Sequence, residues 1–172
     1  MPPTTKSYVS EAALTAPVVH LTAQGLPSSD AFSALPLVRV RFSWQAPRFE
    51  GGQVHVSGLR DTWALIDTGA DYSVLSMQFA QGCGPAVQSF NHTALGTVER
   101  VTTHEVTLFF PPADIFIRAG VLLSNAITPS SVFQMILGRH FLKSTRFIYD
   151  GPLGIKEISF ISQDELNALG VK

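Results

Sequence analysis

Residues 63–75 read WALIDTGADYSVL, and the interpretation of the whole chain starts from them. An apolar run typical of a β-strand ends at Asp67; a hydroxyl residue, a glycine and an alanine follow before the chain becomes apolar again. A carboxylate at the end of a buried strand costs free energy unless it is hydrogen-bonded, paired or used in chemistry. Gly69 permits a tight turn and the close approach of another chain. The stretch therefore predicts a functional loop built around Asp67.

A second motif, MILGR at residues 135–139, lies downstream of the first. Taken together, the sequence DTGA at residues 67–70 and this second motif resemble the active-site loop of the aspartic peptidases and the apolar-apolar-glycine element that braces it. The interval between them is similar to that of a single retroviral-type (retropepsin) half. No second Asp-Thr-Gly or Asp-Ser-Gly occurs in the chain, and the resemblance covers about residues 35–160.

The resemblance implies roles for the residues of both motifs. Asp67 would be the catalytic carboxylate, Thr68 would reach across a two-fold axis to the partner's backbone, and Gly69 would present a carbonyl to the substrate. Substrate contacts would come from Ala70 and Asp71, and from a hairpin flap that holds, by position, Thr93, Ala94, Leu95, Gly96 and Thr97. The loop would be braced by Leu137, Gly138 and Arg139, with Arg139 pairing with Asp71 or supporting the loop.

The chemistry of amide hydrolysis predicts that this chain works as a homodimer. Two carboxylates about 3 Å apart cannot both ionise, so one serves as general base for water while the other stays protonated and polarises the carbonyl. The chain encodes one loop of this type, and a C2 dimer would supply the second acid. We therefore expect an aspartic endopeptidase that acts on extended peptide or protein substrates with apolar side chains near the cleaved bond.

Composition excludes several other classes of function. The 172 residues are 45% hydrophobic and 15% charged, with a net charge of −1, so no basic surface for nucleic acid is expected. No apolar run is long enough for a membrane helix, and the first ten residues do not read as a secretory signal, which favours a cytoplasmic protein. Cys83 is the only cysteine, and the five histidines lack metal-ligand spacing. No metal or cofactor is expected.

The predicted fold is mostly β: a single-domain, retropepsin-like closed β-barrel or sandwich with a flap hairpin and one or two short helices. Residues 1–33 are expected to be a flexible arm or pro-segment, in which Val18, Val19 and Leu21 could form a short edge strand, and residues 34–172 the peptidase domain. Apolar and polar residues alternate from Val38 to Trp44, which predicts a strand with one buried face. Two strands are expected over 115–117 and 120–123, a short helix after Arg139, and a terminal helix capped by the Ser-x-x-Glu motif at 162–165.

Two alternatives keep the same fold. The chain could be a catalytically silent dimeric module that binds peptides or assembles a larger complex. The intact Asp67-Thr68-Gly69 argues against this, because a module without catalysis would be free to change that loop. It could also be a peptidase limited to processing its own N-terminal arm. Cleavage of peptides by the native chain, beside an Asp67→Asn variant, separates these readings.

Overall fold

A computed structural model of the protein describes residues 15–28, 34–94, 97–150 and 155–161. Within these ranges the chain is dominated by β-strands, joined by short 3₁₀ turns at Met77–Phe79 and Pro111–Ala113. The strands are β1 (Thr15–Leu21), β2 (Leu35–Ser43), β3 (Arg48–Glu50), β4 (Gln53–His55), β5 (Arg60–Ile66), β6 (Val74–Ser76), β7 (Ala86–Ala94), β8 (Thr97–Phe110), β9 (Ile115–Ser124), β10 (Met135–Leu137), β11 (Thr145–Asp150) and β12 (Ile155–Phe160). One α-helix, α1 (Arg139–Leu142), precedes β11.

Ten of these strands form one sheet that closes on itself. The order is β11-β12-β1-β2-β5-β10-β6-β9-β8-β7, and an additional pairing of β2 with β8 closes β2, β5, β10, β6, β9 and β8 into a six-stranded barrel. The barrel can close because one edge of β2 pairs with two different strands along its length. Residues Leu35 to Val38 pair with β1, and Arg41 to Ser43 pair with β8. The predicted mostly β chain with a closed barrel is confirmed.

The barrel interior is filled by side chains from alternating strand positions. On β2, Val38, Val40 and Phe42 are fully buried, as period-two patterning predicts. The intervening Arg39 and Arg41 face outward and pair with Asp61 on β5 at 3.2 and 3.5 Å. Fully buried side chains of other strands complete the core, among them Leu75, Leu108, Phe110, Met135 and Leu137. This core fixes the ends of β5 and β10, where the first motif and the second motif meet.

The structure differs from the sequence expectation at Thr15–Leu21, which was assigned to a flexible arm and instead forms β1. Its register places Val18 opposite Val38 of β2 and Thr15 opposite Ser159 of β12. Ala16 and Val18 are buried in the core. Strand β12 pairs with residues 15–17 and strand β2 with residues 18–21, and both partners are separated from β1 in the sequence. Residues 1–14 and 29–33 of the predicted arm lie outside the described residues.

A second difference concerns the segment after the Pro111-Pro112 turn. Two strands were expected there, but Ile115–Ser124 is one continuous strand. The reason is its partner: the 14-residue strand β8 pairs with it without interruption from Phe110 opposite Ile115 to Thr103 opposite Leu122. The short helix expected after Arg139 is confirmed as α1. The expected turn at 151–154 and the terminal helix from 162 lie outside the described residues.

Candidate active site

The topology of three strands positions Asp67. Strand β10 lies between β5 and β6. It pairs parallel with β5, with Leu137 opposite Ile66, and antiparallel with β6, with Ile136 opposite Val74. The loop 67–73 leaves β5 and enters β6, so it must cross the carboxyl end of β10. Residues that are far apart in sequence, the aspartate loop and the glycine of the second motif, therefore meet at one end of the barrel.

Asp67 is half-buried and held by backbone groups on both sides. Its N–H donates to the carbonyl of Leu137 at 3.1 Å, which ties the start of the loop to the end of β10. Its Oδ1 accepts a hydrogen bond from the Gly69 N–H at 2.8 Å. A Cβ at position 69 would lie 3.1 Å from this same oxygen, so a side chain there would crowd the carboxylate. Glycine at this position therefore leaves that oxygen uncrowded.

No cation neutralises Asp67 among the described residues. The ion pairs found in this part of the chain use the carboxylates of Asp61, Asp71 and Glu105. A carboxylate that is oriented by an N–H and has no cationic partner among the described residues can accept a hydrogen bond from a bound molecule. Asp71 is the only other acidic residue of the loop, and it is engaged elsewhere.

Asp71 and Arg139 are brought together, linking the first motif to the second. The Arg139 guanidinium donates to Asp71 Oδ1 in an ion pair. Both side chains are largely exposed, so the pair adds little to stability by itself. Two backbone hydrogen bonds also attach the loop to α1. The Arg139 N–H donates to the Ala70 carbonyl at 2.8 Å, and the His140 N–H donates to the Asp71 carbonyl at 2.9 Å. The first turn of α1 therefore holds the outer half of the loop.

Gly138 is in close contact with the loop that crosses it. A Cβ at this position would collide with the backbone carbonyl group of Tyr72 and would lie 2.9 Å from the carbonyl oxygen of Ala70. All of these are main-chain atoms that cannot rotate away. Leu137 is fully buried beneath the loop. The Leu137-Gly138 pair thus provides an apolar anchor followed by a site where two stretches of backbone touch.

Ser73 belongs to this site, although the sequence did not single it out. Its hydroxyl is buried and accepts a hydrogen bond from the Gly138 N–H at 3.2 Å, and its carbonyl accepts from the Leu122 N–H at 2.9 Å. It therefore joins the loop to both β10 and β9. The available signal was a lone hydroxyl residue between the apolar Tyr72 and Val74, which composition alone does not distinguish from a surface serine.

Replacing this serine tests how much the buried hydroxyl contributes. Ser73→Ala leaves the buried Gly138 N–H without an acceptor, so we expect a loss of about 1–2 kcal/mol in the free energy of unfolding. Chemical denaturation, monitored by tryptophan fluorescence, measures it. Ser89→Ala is the matched control, since Ser89 is exposed on β7 and its loss is expected to change stability by less than about 0.5 kcal/mol. Equal effects of the two changes would contradict the assignment.

His140 and Tyr72 form the outer wall of the loop. Their ring centroids are 6.1 Å apart with the planes tilted by 35°. Partial burial lowers the pKa of His140 below its usual value, and the positive charge of Lys143 lowers it further. The imidazole is therefore neutral at neutral pH, and Arg139 is the cation that faces Asp71.

Three of the predicted flap residues, Thr93, Ala94 and Thr97, lie at the far end of a long hairpin. Strands β7 and β8 pair antiparallel from His104 opposite Ala86 to Thr97 opposite Ala94. Thr93, Ala94 and Thr97 are strand residues, whereas the sequence placed them in the connection between two shorter segments. Leu95 and Gly96 lie outside the described residues. Residues Ala86 to Ser89 of β7 are exposed, because β7 is the last strand at this end of the sheet.

Comparison with models of protein families finds no match to this chain, and comparison with curated proteins finds none either. Among the described residues, no group of three or more His, Cys, Asp or Glu side chains is placed to hold a metal ion. The helices of that part of the chain lack the length and apolar character needed to cross a membrane. The features that bear on function are therefore the geometry of the loop 67–73 and the Gly138 backbone beneath it.

Proposed function

We propose that this protein is an aspartic endopeptidase of retropepsin-like fold, and that it is active as a homodimer. The observation that supports this most is the position of Asp67: it follows a buried strand, its carboxylate is oriented by Gly69, and no cation among the described residues neutralises it. Thr68 and Gly69 are exposed beside it, where a partner chain or a peptide can reach them.

The reaction needs two acids, and each subunit would contribute one. The ionised carboxylate of the pair takes a proton from water as the oxygen attacks the peptide carbonyl carbon. The protonated carboxylate of the other subunit donates to the carbonyl oxygen, so that a tetrahedral intermediate forms. The leaving nitrogen is then protonated as its bond to carbon breaks, which yields a free amine and a carboxylic acid. Because the pair must hold one proton, activity is expected to fall at both acid and alkaline pH.

The substrate would lie extended across the loop. Gly69 and Asp71 are exposed and offer backbone and carboxylate groups to a peptide that binds as an added strand. The β7–β8 hairpin, which includes Thr93, Ala94 and Thr97, would act as the flap over that peptide. Apolar side chains next to the cleaved bond would be preferred. In this proposal the single domain runs from β1 to β12 and Arg139 braces the loop by pairing with Asp71.

The proposal is tested by measuring mass and activity on the same sample. A mass in solution of about twice the chain mass of 18.6 kDa is expected. Cleavage of a mixed peptide library from acid to neutral pH is expected as well, with activity per subunit rising as protein concentration rises, because only dimers carry both acids. A monomer that cleaves peptides equally well at all concentrations would overturn the mechanism. A stable dimer that binds peptides but never cleaves them would instead identify a binding module.

A further inference from the structure

Strands β7 and β8 form a two-stranded ribbon where they extend past the barrel. Strand β8 pairs with β9 as far as Thr103, whereas it pairs with β7 out to Thr97. Among the described residues, 97–102 of β8 are therefore paired with β7 alone, and together with 89–94 of β7 they are called the ribbon. A two-stranded ribbon is marginally stable by itself. The direction in which it leaves the barrel therefore depends on contacts at its base.

His104 lies at the base of the ribbon and is bonded to the segment that leads into it. It is paired with Ala86, the first residue of β7. Its Nδ1 lies 2.9 Å from the carbonyl oxygen of Gly84, and because that oxygen can only accept, Nδ1 donates this hydrogen bond. Gly84 belongs to the connection 80–85, which joins the 3₁₀ turn at 77–79 to β7. His104 therefore attaches β8 to the start of β7 and to the connection before it.

Trp44 contacts the same connection from the side of the barrel. Its indole Nε1–H donates to the carbonyl of Phe79, directly before the connection, at 2.8 Å. A Cβ at Gly82 would lie 3.9 Å from Trp44 Cδ1, so the connection passes close to the indole. The rings of Trp44 and His104 are in a T-shaped arrangement, with centroids 6.4 Å apart. Trp44 and His104 therefore hold the connection together.

The barrel fixes Trp44 through the residues on either side of it. Ser43 is the last residue of β2, and its Oγ accepts a hydrogen bond from the Gln45 N–H at 3.0 Å. The Gln45 carbonyl accepts from the hydroxyl of Thr107 on β8 at 2.7 Å. Ser43 and Thr107 are both buried and lie opposite one another in the β2–β8 ladder that closes the barrel. The indole therefore reaches the connection 80–85 from a well-anchored point of the barrel.

The base of the ribbon is also linked to the loop 67–73. Thr103, where the ribbon begins, is paired with Leu122 of β9. The Leu122 N–H donates to the carbonyl of Ser73 at 2.9 Å. Two separate attachments therefore set the position of the ribbon relative to the loop: the pairing of β8 with β9, and the contacts of Trp44 and His104.

We propose that Trp44 and His104 are positioning residues that hold the base of the ribbon to the barrel and so place the ribbon over the bound peptide. The inference rests on the proposed function, in which the β7–β8 hairpin acts as the flap. Both residues act through the connection 80–85 and the start of β7. A flap that is held in place binds the peptide in the ground state and in the transition state alike, so a loosened base raises KM more than it lowers kcat.

Substitutions that remove one hydrogen bond each test the two residues. His104→Ala and Trp44→Phe are each expected to raise KM about 3- to 10-fold, with kcat within about twofold of the native value. His104→Asn keeps an N–H donor near the position of Nδ1 and is expected to restore most of the native KM. His55→Ala, at an exposed position of β4, is the matched control and is expected to change neither constant.

Hydrogen exchange followed by mass spectrometry examines the base of the ribbon without any cleavage. In His104→Ala and Trp44→Phe, the amides of 86–94 and 97–103 are expected to exchange at least about threefold faster than in the native chain. Those of β2 and β5 are expected to keep their native rates, which also shows that the barrel has folded. His104→Asn is expected to slow the exchange of the ribbon again.

The outcomes distinguish this inference from the proposed function. If exchange in the ribbon is unchanged in both variants, Trp44 and His104 do not hold its base, whether or not the protein cleaves peptides. If exchange rises but KM does not, the inference is wrong and the peptidase proposal stands. If exchange rises and the native chain cleaves nothing, the proposed function falls and the role over the peptide falls with it. An Asn variant as impaired as His104→Ala would contradict the role of the Nδ1 hydrogen bond.

Discussion

Asp67→Asn is expected to reduce peptide cleavage by at least about 10³-fold in kcat/KM while leaving the barrel folded. The amide has nearly the shape of the carboxylate, and its oxygen can still accept the Gly69 N–H that now lies 2.8 Å from Asp67 Oδ1. It cannot take a proton from water. Loss of activity with an unchanged thermal transition and an unchanged mass in solution is therefore the expected result, measured by cleavage of a fluorogenic peptide beside the native protein.

Mixing the variant with native chains makes this prediction specific to a shared site. If subunits associate at random, an equal mixture contains about one quarter of dimers with two aspartates, and activity should fall to that fraction. If each active site were contained within one subunit, the same mixture would lose only about one half of its activity. The mixture is prepared by joint refolding or co-expression, so that subunits exchange. A fall in proportion to the native fraction would contradict the two-subunit mechanism even if the pure variant is inactive.

The second large effect is expected for Gly138→Ala, which should destabilise the protein by about 3 kcal/mol or more. The added methyl group would meet the backbone of Tyr72 and Ala70, and neither can move without breaking the hydrogen bonds that hold the loop to α1. Since small domains are stable by only about 5–15 kcal/mol, such a loss is easily measured as a lower urea midpoint. Activity should fall with it, because the loop that carries Asp67 must shift.

Gly84→Ala is the matched control for this substitution. A Cβ at position 84 would have no atom within 4 Å, and its backbone is not in the left-handed region. We expect a change of less than about 0.5 kcal/mol there. If Gly138→Ala were tolerated as well as Gly84→Ala, the close passage of the loop over the end of β10 would not be a requirement of the fold.

Local patterns in the sequence were sufficient to predict the strands whose partners lie nearby. The alternation of Val38, Val40 and Phe42 with Arg39 and Arg41 predicted β2, because one face of that strand is buried and the other is solvated. The apolar run before Asp67 predicted β5 in the same way. Arg139 was expected to pair with Asp71 or support the loop, and the structure brings their side chains together.

Features that depend on distant partners were not predictable in this way. Val18, Val19 and Leu21 indicated a possible short strand in the arm, but the burial of Ala16 and Val18 depends on pairing with β12 and β2, which are separated from β1 in the sequence. The role of Ser73 depends on the approach of Gly138 and Leu122 from other strands. Closure of the barrel through β2 and β8 is likewise a property of the assembled sheet. Only the resemblance to a known family linked the two motifs in advance.

The insertion of β10 between β5 and β6 has a consequence for how the molecule acquires its structure. Gly138 is 65 residues beyond Ser73 in the chain, yet it completes the hydrogen bonds of the loop that begins at Asp67. During synthesis, the loop emerges long before the strand that supports it. Because contacts of high sequence separation form slowly, we expect Asp67 to become ordered late in folding. A nascent or truncated chain that ends before Met135 would thus carry Asp67 without the strand and the glycine that hold its loop in place.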